Sequence, residues 1–207
     1  GFGHALEPDS WNPSSSPYTT LCAVNLLKRI GFPPPEHPIM AGIATFLDSR
    51  RYLGPDGWQF TIPFDGDYPH APWWTHRPET HATENIGLTA DIIAFVLERF
   101  DPASELYQAA LPMARRLFFK LETPGPYGDM GVHGFLALEQ TARRLGVLEE
   151  ETARARPALR ALVQGTIERD TAKWAHYSVR PSYYITSPDS PYYGENADIV
   201  QAELDYL

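Results

Sequence analysis

The sequence predicts an all-α protein built from helical hairpins, and three observations carry the prediction. Apolar residues recur at helical spacing in six successive segments. Those segments alternate between apolar on nearly every face and apolar along one stripe, and no alternation of period two competes for more than a few residues. A length of 207 residues suits one domain spanning 1–207, with no need for a second core. The 20 prolines are about twice the usual share of roughly 5% and gather in the connections, which they stiffen.

The first 16 residues, GFGHALEPDSWNPSSS, have loop composition, and Ser16-Pro17 supplies an N-cap followed by proline at the first helical position. The helix predicted over 17–30 is apolar nearly all round and stops at Gly31 before Pro33-Pro34-Pro35, so burial on both sides is expected. A second helix over about 37–53 carries Ile39, Ile43, Phe46 and Leu47 on one stripe and reads as an outer helix. The pattern then repeats. The segment 85–100 is of the inner type, with Ile86, Leu88, Ile92, Ile93 and Phe95; 103–121 is outer, with Pro112 as an expected kink. A third inner helix is expected over 132–145, ending at Gly146, and a third outer one over 149–168 with a kink at Pro157. The loop 169–194 and the start of a last helix at 196–207 close the chain.

Buried and half-buried helices in alternation are what a closed double ring of helices requires, because inner helices touch neighbours on all sides while outer ones face water. The loops preceding the inner helices would then converge at one mouth. The longest of them, 54–85, carries Trp58, Phe60, Phe64, Tyr68, Trp73 and Trp74 with His70, His76 and His81, a load that argues for an ordered loop over a site. It would meet His4, Glu7 and Asp9 from the first loop, Tyr127, Asp129 and His133 from the third, and Tyr183 and Tyr184 from the last.

Two stretches resemble the prenyltransferase/squalene-oxidase repeat proteins, the superfamily of terpenoid cyclases and protein prenyltransferases. GFGHALEPD at 1–9, followed by SSPYTTLCAVNLLKRIG at 15–31, is similar to a glycine-rich loop leading into an inner helix. PDGW at 55–58 is similar to the D-G-x-W close of that family's repeats. The resemblance implies an α/α toroid, here an incomplete barrel, and a protein of cyclase or prenyltransferase type with an aromatic, acidic pocket for an apolar isoprenoid. The chain has no D-x-D-D run, no D-D-x-x-D run and no D-x-C pair, so none of the proton-donor, magnesium or zinc activities of that superfamily carries over.

Three function classes follow. Aromatic faces beside acids suit carbocation chemistry on an isoprenoid. The same residues suit a carbohydrate-active (α/α)-barrel hydrolase or lyase, where aromatics stack on sugar rings and acids move protons. The third class is a noncatalytic binding or scaffold module. The catalytic candidates are Asp129 and Asp67, each beside a tyrosine; Asp9, which flanks Pro8 with Glu7; and His133 and His4, each near the start of an inner helix. Tyr68, His70, Trp73, Trp74, Glu7 and Tyr127 are the substrate-binding candidates. Against them stand plainer roles: Trp58, Phe60 and Phe64 as a plug of the barrel end, Asp56-Gly57 and Asp65-Gly66 as turns, Glu7 and Asp9 as caps. The histidines between 70 and 81 match no zinc spacing, so no metal and no other cofactor is expected.

With 26 acids against 17 bases, net −9, and no basic cluster, nucleic acid is not an expected partner; a small molecule or an oligosaccharide is. A single Cys22 fits a reducing, cytoplasmic setting, and no apolar run is long enough to span a membrane. The chain opens on Gly1 without methionine and closes on ELDYL inside an apolar helical pattern, which predicts a fragment of a longer protein.

Overall fold

The computed structural model describes residues 1–3, 6–123 and 125–207, and among them are seven α-helices. The helices are α1 (Pro17–Ile30), α2 (Pro38–Asp48), α3 (His81–Arg99), α4 (Glu105–Lys120), α5 (Gly128–Leu145), α6 (Glu149–Thr166) and α7 (Ala197–Tyr206). No helix among the described residues is long and apolar enough to cross a membrane. The one paired strand ladder joins β1 (Leu53–Gly54) to β2 (Gly57–Trp58) across Pro55-Asp56.

Local chemistry accounts for most boundaries. Ser16 caps α1 by accepting from the Thr19 backbone N–H at 3.1 Å, and the Thr19 hydroxyl returns the favour to the Ser16 N–H at 3.3 Å. Pro17 occupies the first turn, where its missing N–H costs nothing. Ser104 caps α4 in the same way, and α5 stops at Gly146, whose φ of 66° is the left-handed geometry that ends helices. Pro112 and Pro157 lie inside α4 and α6, which run through them. The second helix ends earlier than its apolar pattern, at Asp48, because Arg50 and Tyr52 take positive φ and turn the chain into β1. The third inner helix begins earlier, at Gly128, and so brings Asp129 and His133 onto one helix.

The helices form two rows. Contacts run from α1 to α3 to α5 and from α2 to α4 to α6, with α3 against α4 and α5 against α6 between the rows. Successive helices therefore alternate between the two rows. The closest contact is α3 on α5, where Gly87 and Gly134 abut: a side chain on Gly134 would run into the Gly87 carbonyl, and one on Gly87 into the backbone of Met130. Glycine here allows two backbones to touch. Burial on both sides holds for α3, with 13 buried residues, but not for α1, whose Leu26 and Ile30 are exposed. The reason is positional: α1 ends the row and has an inner neighbour on one flank only.

The long loop is ordered by short 3-10 turns at Asp65–Asp67, Pro72–Trp74 and Pro78–Thr80. It meets the N-terminal segment as expected. Trp11 N–H donates to the Pro69 carbonyl at 3.0 Å and Ala71 N–H to that of Asp9 at 2.8 Å. Buried Asp65 accepts from Asn12 Nδ2 at 2.8 Å and from the Ile62 N–H at 2.7 Å. At the other end of the loop Gly57, with φ 106°, lies against Thr89 of α3, whose hydroxyl accepts from the Trp58 N–H at 2.9 Å. The PDGW stretch is thus a tight turn seated on an inner helix.

Candidate functional site

The three inner helices are polar on the face they turn to one another. Lys28 and Asn25 on α1, Asp91 and Glu98 on α3, and His133, Gln140 and Arg144 on α5 all line one cavity of about 400 Å³. Phe32 and Phe95, with ring centroids 5.9 Å apart, and Leu21, Val24 and Leu136 supply its apolar sector. Tyr183, Tyr184 and Thr186 close it from the last loop.

Spacing explains the convergence. Asp91 and Glu98 are seven residues apart, two turns on one face of α3, and His133, Ala137, Gln140 and Arg144 repeat that face on α5. The α3–α5 contact at the glycines brings the two stripes together. His133 Nδ1 lies 3.4 Å from Asp91 Oδ2, and Arg144 pairs with Glu98 at 3.0 Å. The hydrogen bond to Asp91 raises the His133 pKa, with Asp91's charge adding to it, while burial and the charge of Lys28 pull the other way. Lys28 forms no ion pair within 4 Å among the described residues.

Tyr183 is placed by α7. The turn Pro181–Tyr183 is held by buried Glu203, which accepts from the Ser182 N–H at 2.7 Å and its hydroxyl at 2.6 Å. Its ring then faces His133 with centroids 5.7 Å apart. Burial, then the charges of Asp129 and Asp91, push the Tyr183 pKa up, so its hydroxyl holds its proton.

The other candidates from the sequence take different places. Asp129 sits in the first turn of α5, accepts from Tyr177 Oη at 2.6 Å and from the Met130 N–H at 2.9 Å, and lends its carbonyl to Tyr184 Oη at 3.1 Å. That bond raises the Tyr177 pKa to about 12. Asp129 therefore anchors the last loop beside the cavity without lining it. Asp67 is exposed on a 3-10 turn. Asp9 donates its N–H to Glu7 Oε1 at 3.0 Å, so these two form a local turn and not a facing acid pair. Glu7 borders only a crevice of about 10 Å³ beside Asn12, Asp65 and Trp74. His4 lies outside the described residues.

The binding candidates divide likewise. Trp74 is buried, stacked on Phe60 at 4.8 Å and edge-on to Tyr18 at 4.7 Å, while its neighbour Trp73 is 58% exposed. The wall expected at 67–74 is consequently mostly surface, with Trp74 alone buried in the core. Tyr68 is exposed, and its carbonyl takes His70 Nδ1 at 2.6 Å, with His70 Nε2 on Thr75 Oγ1 at 3.2 Å. Tyr127 Oη donates to the carbonyls of Lys120 and Thr123 at 2.7 and 2.9 Å, tying the connection back onto the end of α4. Phe64 is half exposed and plugs nothing, whereas Trp58 is buried as a plug should be.

His76 and His81 do come together, rings 5.0 Å apart, and burial followed by His76's charge lowers the His81 pKa. No group of three His, Cys, Asp or Glu side chains among the described residues is placed to hold a metal ion. Burial and Glu7 push Cys22 up to about 11, which keeps it a thiol at neutral pH.

The residues missed from the sequence are Asp91, Glu98, Lys28, Gln140 and Arg144. The one signal was on α3, where Asp91 and Glu98 stand seven apart on a helix otherwise apolar on most faces. No family model matches this chain, and no match to it appears among curated proteins or among solved structures, so the cavity's own geometry is what describes it.

Proposed function

We propose that the chain is part of an α/α-toroid protein whose inner-row cavity takes a hydroxyl-rich small molecule of the carbohydrate class, with His133 as the proton-transfer group. The two rows of alternating helices support the toroid reading. The observation that carries the ligand class is the lining: two carboxylates, two amides, two cations, an imidazole and two tyrosines around a stacked Phe32–Phe95 pair. Sugars offer donors and acceptors on a ring with an apolar face, which such a wall can match group for group.

Within that class, elimination suits the cavity better than hydrolysis by paired acids. Both carboxylates on α3 are engaged, Asp91 by the His133 imidazole and Glu98 by Arg144, which leaves neither as a free acid beside a free base. His133, made more basic by Asp91, can accept a proton from a carbon next to a sugar carboxylate. Lys28 is the cation available to that carboxylate, and Tyr183 can return a proton to the departing oxygen. An isoprenoid ligand remains the second reading, favoured by the apolar sector of Leu21, Val24, Phe32, Phe95 and Leu136.

Calorimetric titration with uronate-containing oligosaccharides, neutral oligosaccharides and farnesol separates the two. Saturable binding of an oligosaccharide, weakened about tenfold or more in Asp91→Asn and His133→Ala, is the expected outcome. Binding of farnesol alone would overturn the carbohydrate reading in favour of the isoprenoid one.

A further inference from the structure

A second cavity lies on a different face of α5, between α5, α6 and the segment 190–195. It measures about 110 Å³ and is lined by Glu139, Arg143, Arg156, Arg160, Pro191 and Tyr192. Two polar atoms in it are buried without a partner: Glu139 Oε2 and the Tyr192 hydroxyl, on residues 1% and 2% exposed. Buried polar groups are ordinarily satisfied, so an orphaned acceptor and an orphaned donor in one small cavity point to something that fills it.

The charges around the pair define what that is. Glu139 Oε1 takes Arg156 Nε at 3.1 Å and lies 3.7 Å from Arg143 Nε. Arg160 reaches Glu195 through one terminal nitrogen at 3.3 Å. Two guanidiniums therefore lie on a single buried carboxylate with a third, that of Arg160, lining the same cavity, and the terminal nitrogens of Arg143 and Arg156 take no protein acceptor among the described residues. The arginine side chains are about half exposed, at 47–51%, so the cavity opens to water along them. Burial followed by Glu139 raises the Tyr192 pKa and the three arginines lower it, as expected of a hydroxyl standing among all four.

We infer that this cavity is an anion site for hydrogen phosphate. Its donors are the guanidiniums of Arg143, Arg156 and Arg160 and the Tyr192 hydroxyl, a planar set suited to tetrahedral oxyanions. Its acceptor is Glu139 Oε2. Hydrogen phosphate matches both, because three of its oxygens accept while its P–OH donates to the carboxylate. Sulfate has no proton at neutral pH and would set an oxygen against Glu139. The cavity holds one such ion and has no room for a nucleotide.

The test is calorimetric titration of the intact chain with inorganic phosphate, sulfate and methyl phosphate at about pH 8 and constant ionic strength. There the methyl ester is a dianion without a P–OH. Saturable phosphate binding is expected, with sulfate and methyl phosphate weaker by about tenfold or more, because a buried acceptor rejects a ligand that lacks the proton. Tyr192→Phe removes a hydroxyl that no protein group uses, so the fold stands, and phosphate affinity should drop about fivefold or more. Glu139→Gln should bring the phosphate-to-sulfate ratio to about one. If that variant does not fold, Tyr192→Phe and the three-anion comparison still decide. The proposal is overturned by absence of saturation up to about 10 mM phosphate, by equal binding of sulfate, or by a Tyr192→Phe variant that binds as the parent does.

Discussion

The clasp made by residues 6–16 with 54–80 and the cavity between α1, α3 and α5 both gather polar and aromatic side chains, but they use them differently. In the clasp the titratable groups are used within the clasp itself: Asp65 by Asn12 Nδ2 and the Ile62 N–H, His70 by the Tyr68 carbonyl and Thr75 Oγ1, His76 by Thr61. In the cavity, polar groups pair across helices and keep capacity toward the open space. Lys28 has no carboxylate within ion-pair distance among the described residues, and His133 uses one nitrogen on Asp91. A group saturated by its own loop holds structure, whereas a group with an unused donor or acceptor facing a void can hold a ligand.

The comparison breaks most visibly at the adjacent tryptophans. Trp74→Ala removes a buried ring packed on Phe60 and Tyr18 and should cost about 3–5 kcal/mol in urea unfolding. Trp73→Ala, one residue away and largely exposed, should stay within about 0.5 kcal/mol. Equal losses would show that the clasp is not organised around a core.

A smaller effect is expected at Asp65. Alanine there leaves the Ile62 N–H and Asn12 Nδ2 buried without their acceptor, each worth about 1–2 kcal/mol, for a total of about 2–4 kcal/mol. Cavity ligand affinity in the same variant should be unchanged, since Asp65 does not line the cavity. A loss of affinity matching the loss of stability would join the two regions into one site.

These two regions also differ in how far the sequence disclosed them. The helical rows were legible because apolar periodicity reports burial directly, and α3 and α6 follow it closely. The meeting of 1–16 with 54–85 was legible from loop composition and the order of the helices. What composition could not weigh was saturation. Asp65, Tyr127 and His70 stood out as residue types, yet only distances reveal that their own neighbours use them up. Asp91 and Glu98 were hidden for the opposite reason. Single acids on a long apolar helix look like interruptions until the Gly87–Gly134 contact sets them facing His133 and Arg144. Of the catalytic candidates among the described residues, His133 alone lines the cavity, beside Tyr183 and Tyr184 from the last loop.

The smallest effect, and the most specific to the cavity, is the titration of His133. Its pKa in the folded chain is raised above 6.5 by the hydrogen bond it donates to Asp91, so the folded state favours the protonated ring. The stabilisation from this pair is then fully present below about pH 6.5 and is lost as pH rises through the elevated folded-state value. Asp91→Asn keeps the shape and removes the charge, so the His133 pKa, read from its imidazole resonances by NMR, should fall. The urea midpoint of the parent should exceed that of the variant more at about pH 5.5 than at about pH 8.5. Since the His133 side chain is 47% exposed, solvent screening keeps the difference small. A gap between the two proteins that is the same at both pH values would mean that Asp91 holds His133 by shape alone, and the cavity would lose its proton-transfer group.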